Sequence, residues 1–518
     1  MEHWIVKPSI AAFSLCSLCC ALGLGASALR AQDRRTVRQP VIPPACAALP
    51  ARLVAVGDST LAEADERKLD TDRIQQALDH CPRGRSVRLV PAGADGGARA
   101  ANAFLSGPLQ LRAGVTLVVE RGAILFGSRD PRVYDLSAEN AQARAKASDD
   151  SAVRPGAAAD PLSDTAARKR LARENAAPPL PGPQAPAIGR CGTVDRIGHG
   201  CRPLIAATDM SGAGVMGDGV IDGRGWATLL GTDTTWWQLA EIARAGGSQN
   251  VPRIMHLVRA NDFTLYRISL RNSANFHVMY SDGDGFTVWG VKVWSPEDAR
   301  NTDGIDPQNS TNVTITQSWI HTGDDQVAIK ASARPSTHMT MTHNHFYTGH
   351  GMSIGSETNG GVSAIRVTDL TIEGADNGLR IKSNESRGGP VDDVVYEDVC
   401  IRDTKNPVYM DTHYSFYNQA HGLIPVFRNV TLRNVHIAGK GKITLDGYDA
   451  GQRLGLAFDG VTLGDPDRVS IVAQHADIRL GPGPVNFRPA GADVTVTGTP
   501  ATANPADSCA QRFMPFPR

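Results

Sequence analysis

Short hydrophobic strands recur along the central part of the chain at a nearly constant interval. Successive units begin 23, 27, 26 and 26 residues apart, and each contains short runs of alternating apolar and polar residues bounded by Asn, Gly or Asp. The units begin at Phe263, Phe286, Val313, Met339 and Ile365. An interval in the twenties leaves no room for a helix in every unit, so the pattern predicts a parallel β-helix whose coils stack about 4.8 Å apart.

The composition agrees with one long all-β domain. A chain of 518 residues usually suggests several domains, but a repeat fold can continue as a single domain. The 52 glycines and the low aromatic content of 6 % suit an architecture that is rich in turns. The formal net charge is zero, so the overall charge gives no support to a nucleic-acid partner.

The N-terminus has the features of an export signal. Lys7 precedes an uncharged run of apolar and small residues over 10–26, and Ala26-Ser27-Ala28 offers small residues for cleavage. No other apolar run is long enough to span a membrane. We therefore predict a signal peptide over residues 1–28, with an uncleaved anchor as the alternative. The mature chain, residues 29–518, is then secreted and has no membrane association.

Cysteine usage agrees with an oxidising destination. Six cysteines follow residue 28, and six cysteines can pair in 15 ways. We favour a disulfide between Cys191 and Cys201, because it closes a short glycine-rich loop. Cys46 and Cys81 are a second candidate pair, because both precede the repeats. Both pairs are interpreted as structural.

Three segments outside the repeats differ from them in composition. Thr71–His80 predicts a helix with Ile74 and Leu78 on one apolar face, suited to cover the N-terminal end of the solenoid. Residues 130–202 are rich in Ala, Arg, Pro and Asp, which predicts an exposed and partly disordered insertion. Residues 234–245 predict a second short helix.

Charged and histidine motifs recur at about the interval of the strands. The steps are 21 residues from Asp303 to Asp324, 26 from Asp324 to His350 and 30 from His350 to Arg380. Stacked coils would therefore bring three carboxylates, an imidazole and two cations together: Asp303, Asp324, Asp325, His350, Arg380 and Lys382. Crowding raises the pKa of one carboxyl group, which then acts as an acid while its neighbours act as bases. An inverting glycosidase needs this division of roles.

Each motif by itself has a more ordinary interpretation. An Asp-Asp pair is usually a solvated turn, an isolated histidine is usually a hydrogen-bonded core residue, and a pair of cations usually faces solvent. Beside an acidic cluster, however, Arg380 and Lys382 on one face of a strand are suited to bind a carboxylate, which indicates a uronic acid sugar. His343 and His345 have no Cys or Glu at ligand spacing, so we predict no metal site.

Four motifs in this order resemble the signature of the polygalacturonases, glycoside hydrolase family 28. They are Asn301-Thr302-Asp303, Gly323-Asp324-Asp325, Gly349-His350-Gly351 and Arg380-Ile381-Lys382. The similarity covers residues 217–414, and longer phrases over 322–330 and 349–357 resemble secreted bacterial endopolygalacturonases. The resemblance implies a right-handed parallel β-helix that hydrolyses α-1,4-galacturonan with inversion and needs no metal or other cofactor.

The resemblance also implies roles for the acidic residues and the histidine. Asp324 would be the general acid that protonates the glycosidic oxygen. Asp303 and Asp325 would together activate the water, and His350 would assist in the site.

Substrate binding is implied for three further residues. Arg380 and Lys382 would bind a galacturonate carboxylate, and Tyr414, which follows Asp411-Thr412-His413, would contact the substrate. The expected partner is the polygalacturonate of plant cell-wall pectin, and the expected state of a solenoid with covered ends is a monomer.

Two departures from the family pattern leave alternatives open. Gln326 stands where many members have Cys, and we expect no loss of activity from this difference. The insertion at 130–202 is atypical, and insertions beside the cleft can make an endo-acting enzyme exo-acting; we favour endo action. A pectate lyase, which cleaves by β-elimination, and a β-helix that only binds carbohydrate are the remaining alternatives.

Overall fold

The repeats are consecutive coils of a parallel β-helix. The structure, a computed structural model, describes residue 1 and residues 33–92, 100–136, 189–414, 422–502 and 509–517. The five unit starts predicted from the sequence pair directly with one another: Phe263 with Phe286, Phe286 with Val313, Val313 with Met339, and Met339 with Ile365. The predicted all-β solenoid and its register are confirmed.

Each coil contributes strands to three parallel sheets. In the coil that begins at residue 311, Thr311–Thr316 belongs to sheet A, Trp319–His321 to sheet B and Val327–Ile329 to sheet C. From Ser336–Phe346 onward, several long strands turn the corner from sheet A into sheet B, because one strand pairs with both sheets of the preceding coil.

The described strands in chain order are Ala45–Pro50, Arg85–Val90, Ala103–Ser106, Leu109–Gln110, Val115–Val119, Ile124–Gly127, Val194–Asp195, Ile205–Ser211, Gly214–Met216, Val220–Asp222, Ser248–Gln249, Met255–Asn261, Phe263–Tyr266, Ser269–Arg271, Val278–Ser281, Asp284–Trp289, Lys292–Trp294, Ile305–Gln308, Thr311–Thr316, Trp319–His321, Val327–Ile329, Ser336–Phe346, Met352–Ile354, Val362–Glu373, Asn377–Lys382, Pro390–Arg402, Asn406–Asp411, Val426–Ala438, Gly441–Asp446, Leu454–Leu463, Val469–Leu480 and Gly491–Thr497. Only Val194–Asp195 and Ser248–Gln249 lie outside the solenoid among these, as an antiparallel pair.

The core is a set of aliphatic stacks along the axis of the solenoid. In sheet C, fully buried side chains occupy the same register position in six successive coils: Val278, Ile305, Val327, Met352, Leu379 and Val408. Each such side chain stabilises the fold by about 1.5–3 kcal/mol relative to an exposed one. Because the inward positions are filled with apolar residues, the polar positions between them face outward, where a site can form.

In the part of the chain that the structure describes, two α-helices and three short 3₁₀ helices accompany the strands. The first α-helix, Thr71–His80, has the predicted bounds and buries Ile74 and Leu78 in the core against the first coils. The second, Trp236–Ala243, lies within the predicted range and begins with a capping box between Thr235 and Gln238. The 3₁₀ helices are Glu63–Asp65, Pro131–Tyr134 and Pro466–Arg468.

Three disulfides tie the periphery to the solenoid. Both predicted pairs are confirmed, Cys46 with Cys81 and Cys191 with Cys201. The third, between Cys400 and Cys509, joins the C-terminal segment to sheet B across 109 residues. A link over so long a loop restricts the unfolded chain strongly, so its expected contribution to stability is several kcal/mol, about 4–5 in a chain-entropy model.

The predicted insertion and the predicted signal peptide lie largely outside the described residues. Residues 2–32 and 137–188 are not described, so both assignments stay predictions. The described ends of the insertion meet at its base, where the Asp135 carboxylate accepts hydrogen bonds from the backbone N–H groups of Gly189 and Cys191. Within the described ranges, no helix is long and apolar enough to cross a membrane.

Candidate active site

The four predicted motifs meet at one cleft. Asp303, Asp324 and His350 all occupy the turns that lead from sheet B into sheet C, in three successive coils, whereas Arg380 lies on a strand of sheet C. The cleft has a volume of about 1060 Å³, and residues on its wall include Asp324, His350, Arg380 and Tyr414. The coil period therefore brings together residues that are up to 111 positions apart in the chain, from Asp303 to Tyr414.

Asp324 and His350 form a hydrogen-bonded pair at the surface of the cleft. The Nδ1 atom of His350 lies 2.9 Å from Oδ1 of Asp324, and the Asn301 amide donates a longer bond of 3.4 Å to Oδ2. On its other side, Nε2 of His350 lies 3.7 Å from a carboxylate oxygen of Asp376. An imidazole between two carboxylates is well placed to hold a proton that Asp324 can use.

Asp325 lies deeper and is held by two cations. Its carboxylate accepts hydrogen bonds from Lys382 Nζ at 2.7 Å, Arg380 Nη1 at 3.1 Å and Ser353 Oγ at 2.6 Å. Only 2 % of its side chain is exposed. The two residues predicted to bind substrate carboxylate therefore also neutralise a carboxylate of the protein, because Arg380 and Lys382 project from the same face of one strand.

Asp303 belongs to a buried group that the sequence analysis did not assign. Lys330 Nζ lies 3.4 Å from a carboxylate oxygen of Asp303 and 2.5 Å from one of Asp306. Lys330 follows Asp303 by 27 residues, about one coil, so the same spacing argument that placed His350 beside Asp324 would have found it. One oxygen of Asp303 and one of Asp306 have no hydrogen-bond partner among the described residues. Two buried carboxylates therefore share one ammonium group.

The directions of the pKa shifts in this cluster are opposite to those expected if Asp324 is the acid. Burial and the carboxylates of Asp306 and Asp324 raise the pKa of Asp303 well above its ordinary value, although Lys330 opposes them. Burial also raises the pKa of Asp306 to about 6. Crowding thus raises the pKa of one member of the predicted cluster, as expected, but that member is Asp303 and not the proposed acid Asp324.

Hydrogen bonds and cations outweigh burial at the other two carboxyl groups. Burial acts to raise the pKa of Asp324, but the hydrogen bond and charge of His350 bring it below its ordinary value. At Asp325 the same effect of burial is outweighed by Lys382 and Arg380. The pKa of His350 is raised by Asp324 despite burial. In the free protein, the proton shared by Asp324 and His350 therefore resides mainly on the imidazole, and the pair titrates as a unit.

Aromatic rings complete the wall around the two cations. The Arg380 guanidinium lies over the rings of Tyr409 and Tyr414, 5.6 and 5.2 Å from their centroids. Lys382 Nζ lies 5.3 Å from the Tyr414 ring. Tyr414 is held by its backbone, which donates to Ser383 O and accepts from the Asn384 amide. The structure thus places all seven predicted site residues within one connected group.

Comparison with known proteins assigns the chain to a family. The family model described as glycosyl hydrolases family 28 matches residues 192–475, more than half of the chain and all of the motifs above. The chain belongs to family 28 of the glycosyl hydrolases.

Individual relatives and one solved structure agree with this assignment. A polygalacturonase of Ralstonia nicotianae is 36 % identical over 86 % of this chain and 85 % of its own length. An endo-polygalacturonase of Pectobacterium parmentieri is 36 % identical over 85 % and 92 %. The solved structure of a polygalacturonase from Erwinia carotovora ssp. carotovora matches with a TM-score of 0.69 and 34 % identity, over 86 % of this chain and 100 % of that one. The right-handed parallel β-helix is confirmed by this match.

Gln326 has a structural role in this family 28 hydrolase. Its side-chain amide donates to Tyr347 O at 2.6 Å and Thr348 O at 3.0 Å, and its carbonyl oxygen accepts from the backbone N–H of Gly351. These bonds hold the loop that carries His350 against the preceding coil. A polar residue at this position therefore helps to orient the imidazole without contacting the cleft.

The glycines beside His350 allow neighbouring coils to approach each other, not a substrate. Gly349 has φ of 138°, and a Cβ there would lie 2.6 Å from Asp324 O. A Cβ on Gly351 would lie 2.2 Å from Gly378 O. The nearest neighbours of both glycines are backbone carbonyls of adjacent coils.

The family 28 cleft is also a poor place for a metal ion. One oxygen each of Asp324 and Asp325 and one His350 nitrogen lie within 4.8 Å of one another. However, Asp325 is already paired with Arg380 and Lys382, and His350 shares its proton with Asp324. A divalent cation would have to displace or lie beside two fixed positive charges, which Coulomb repulsion opposes.

Proposed function

We propose that this family 28 hydrolase is a secreted enzyme that hydrolyses α-1,4-galacturonosidic bonds in polygalacturonate. The observation that carries the proposal is Arg380 on the wall of the cleft, with Lys382 on the same face of its strand, next to the carboxylates of Asp324 and Asp325. A cation pair is costly next to a neutral sugar, but it matches the carboxylate of a uronic acid. The names of the bacterial relatives agree with this substrate. Export by a signal peptide over residues 1–28 is part of the proposal.

The proton transfer begins at the Asp324–His350 pair. A galacturonan chain in the cleft excludes water, and this loss of water disfavours the separated charges of the imidazolium and the Asp324 carboxylate relative to the neutral pair. The proton then moves from the imidazolium to Asp324, which donates it to the glycosidic oxygen as the bond between that oxygen and C1 breaks. His350 acts as the proton reservoir of the acid, and Asp376 at 3.7 Å helps to keep the imidazole charged until then.

The attacking water is activated by Asp325 and Asp303. Asp325, which two cations keep ionised, orients the water, and Asp303, whose raised pKa makes it the stronger base, accepts the proton of that water. Asp324 and Asp325 have oxygens within 4.8 Å of each other, less than the 6.5–9.5 Å usual between the carboxyl groups of inverting enzymes. Inversion therefore depends on a water held beside Asp303 and Asp325, not on a wide gap between two acids.

The test of the function uses the purified mature protein with polygalacturonate in excess EDTA. Reducing ends, the absorbance of unsaturated products and viscosity are followed together. We expect reducing ends without unsaturation, an early fall in viscosity from endo cleavage, and product that first appears as the β-anomer by NMR. Unsaturated product would mean a lyase, a slow fall in viscosity would mean exo action, and no product would favour a carbohydrate-binding protein.

Replacing Arg380 tests the carboxylate site. We expect Arg380→Gln to lower kcat/KM on polygalacturonate by about 30-fold or more, mainly through KM. The reason is that the variant lacks the guanidinium group that binds the substrate carboxylate through charge-assisted hydrogen bonds. Arg387→Gln is the matched control, because Arg387 lies on the rim of the same cleft and half of its side chain is exposed. The kcat/KM values of both variants are obtained from initial rates on the polymer and on short oligogalacturonates. Equal losses for Arg380→Gln and Arg387→Gln would contradict the assignment.

A further inference from the structure

A second groove lies along sheet B, on the side away from the turns that carry the catalytic residues. The catalytic residues follow the strands of sheet B, whereas this groove lies over those strands themselves, at Ser269–Arg271, Lys292–Trp294 and Trp319, and over the turns that precede them. It has a volume of about 480 Å³ and shares no described lining residue with the catalytic cleft. Gln39 of the N-terminal segment lines it, as do Phe516 and Pro517 of the C-terminal segment.

Both terminal segments are fixed where they border the groove. The Gln39 amide donates to the Tyr266 hydroxyl at 2.8 Å. Phe516 packs edge-on against Tyr347 and His321, and the Tyr347 hydroxyl donates to Met514 O. The groove is therefore a built feature of the folded chain, bordered on two sides by ordered segments.

The floor of the groove is aromatic. Trp289 and Trp294 belong to one coil and Trp319 to the next, and 36 % of Trp294 is exposed. Trp294 stacks on His321 with ring centroids 5.8 Å apart, and Trp319 stacks on His345 at 6.1 Å. One face of Trp294 is therefore covered by His321, and the exposed part of the ring is a fixed apolar surface against which the C–H groups of a pyranose ring can pack at little entropic cost.

Cations outnumber carboxylates around these rings. Among the described lining residues there are four cations and one carboxylate: Arg121, Arg267, Arg271, Lys292 and Asp218. Asp218 is already held by Arg267 and Arg121. The Lys292 ammonium has no hydrogen bond or ion pair with any residue in the described ranges, and Lys292 pairs in register with Trp319 of the next coil. The groove therefore has a surplus of positive charge beside its aromatic floor.

We propose that this groove is a second binding site for a polyuronate chain, separate from the catalytic cleft. The exposed part of Trp294 packs against a sugar ring while Lys292 and Arg271 bind carboxylates of the same chain. The site holds the enzyme on its polymer between cleavage events and does not contact the bond that is cleaved. It rests on polygalacturonate being the polymer, as proposed above, and its chemistry requires an acidic sugar chain rather than a neutral one.

Affinity electrophoresis in gels that contain polygalacturonate tests the site directly. We expect Trp294→Ala and Lys292→Ala each to weaken retardation about 3- to 10-fold in apparent Kd. Lys440→Ala is the matched control, because Lys440 is an exposed lysine in a turn away from both grooves. Gels with a neutral galactan should retard none of these proteins. Unchanged retardation of both groove variants would overturn the proposal.

Kinetics on substrates of different length supply the second readout. Because the groove lies apart from the cleft, the same variants should keep kcat/KM on trigalacturonate within about twofold of the unmodified enzyme and lose several-fold on the polymer. Equal losses on both substrates would overturn the proposal, because they would indicate a disturbed fold. If polygalacturonate gels retard the protein but the protein cleaves nothing, the proposed function fails. The comparison of the variants in the gels still tests the binding site in that case.

Discussion

Asp324→Asn is expected to lower kcat on polygalacturonate by about 10³- to 10⁴-fold, with KM changed by no more than a few-fold. The amide keeps the size of the carboxyl group and can still accept a hydrogen bond from His350, but it cannot donate a proton to the leaving oxygen. General acid catalysis contributes at most about 10⁴-fold, so this loss is near its upper limit. Initial rates of reducing-end release, with binding of oligogalacturonate measured separately, give the two parameters.

Asp298→Asn is the matched control for this variant. Asp298 is an exposed residue on the wall of the same cleft, so its replacement makes the same chemical change without touching the acid. We expect Asp298→Asn to keep more than half of the activity. Near-full hydrolysis by Asp324→Asn would show that another group is the acid, and a comparable loss in Asp298→Asn would show a general effect of charge in the cleft.

Lys330→Met is expected to shift the acid limb of the pH–kcat/KM profile to higher pH. Asp303 faces Asp306, Asp324, Asp325 and Lys330, and among these only Lys330 acts to lower its pKa. Without the ammonium group, the pKa of Asp303 rises further, so a larger part of the enzyme has the base protonated at any mildly acidic pH. Loss of one partner of a buried ion pair also destabilises the fold by about 3–5 kcal/mol, which thermal unfolding would measure.

Asp306→Asn should move the same limb in the opposite direction. Asp306 raises the pKa of Asp303 and competes with it for Lys330, whose Nζ lies 2.5 Å from Asp306 and 3.4 Å from Asp303. Removing that charge lowers the pKa of Asp303, so the base stays ionised to lower pH. Opposite shifts separate an electrostatic role from damage to the fold, because damage would lower the rate without moving the profile. Shifts of both variants in one direction would contradict the role of this group.

The architecture was largely predictable because it follows from the local periodicity of the sequence. A strand alternates inward and outward residues, and a coil of about 26 residues repeats that pattern, so the pairing of Val313 with Met339 follows from counting. The same counting placed His350 beside Asp324. The same interval places Lys330 beside Asp303, although Lys330 belongs to none of the four motifs.

The course of the terminal segments could not be predicted in this way. Gln39 and Phe516 lie outside the repeats, so no interval relates them to Tyr266 or Tyr347, which they contact. The disulfide between Cys400 and Cys509 was among the 15 possible pairings, but nothing local distinguished it. The terminal segments border the second groove on two sides, so these borders have no signature in the repeats, although most of the lining residues belong to the coils.

The sequence by itself determined the fold, the coil period and the set of residues that share the cleft. Only the tertiary structure decided which charge each carboxyl group faces. Asp324 faces His350, Asp325 faces Arg380 and Lys382, and Asp303 shares Lys330 with Asp306. The reason is physical: periodicity places residues to within a coil of about 4.8 Å, whereas the sign of a pKa shift depends on burial and on contacts between about 2.5 and 4 Å.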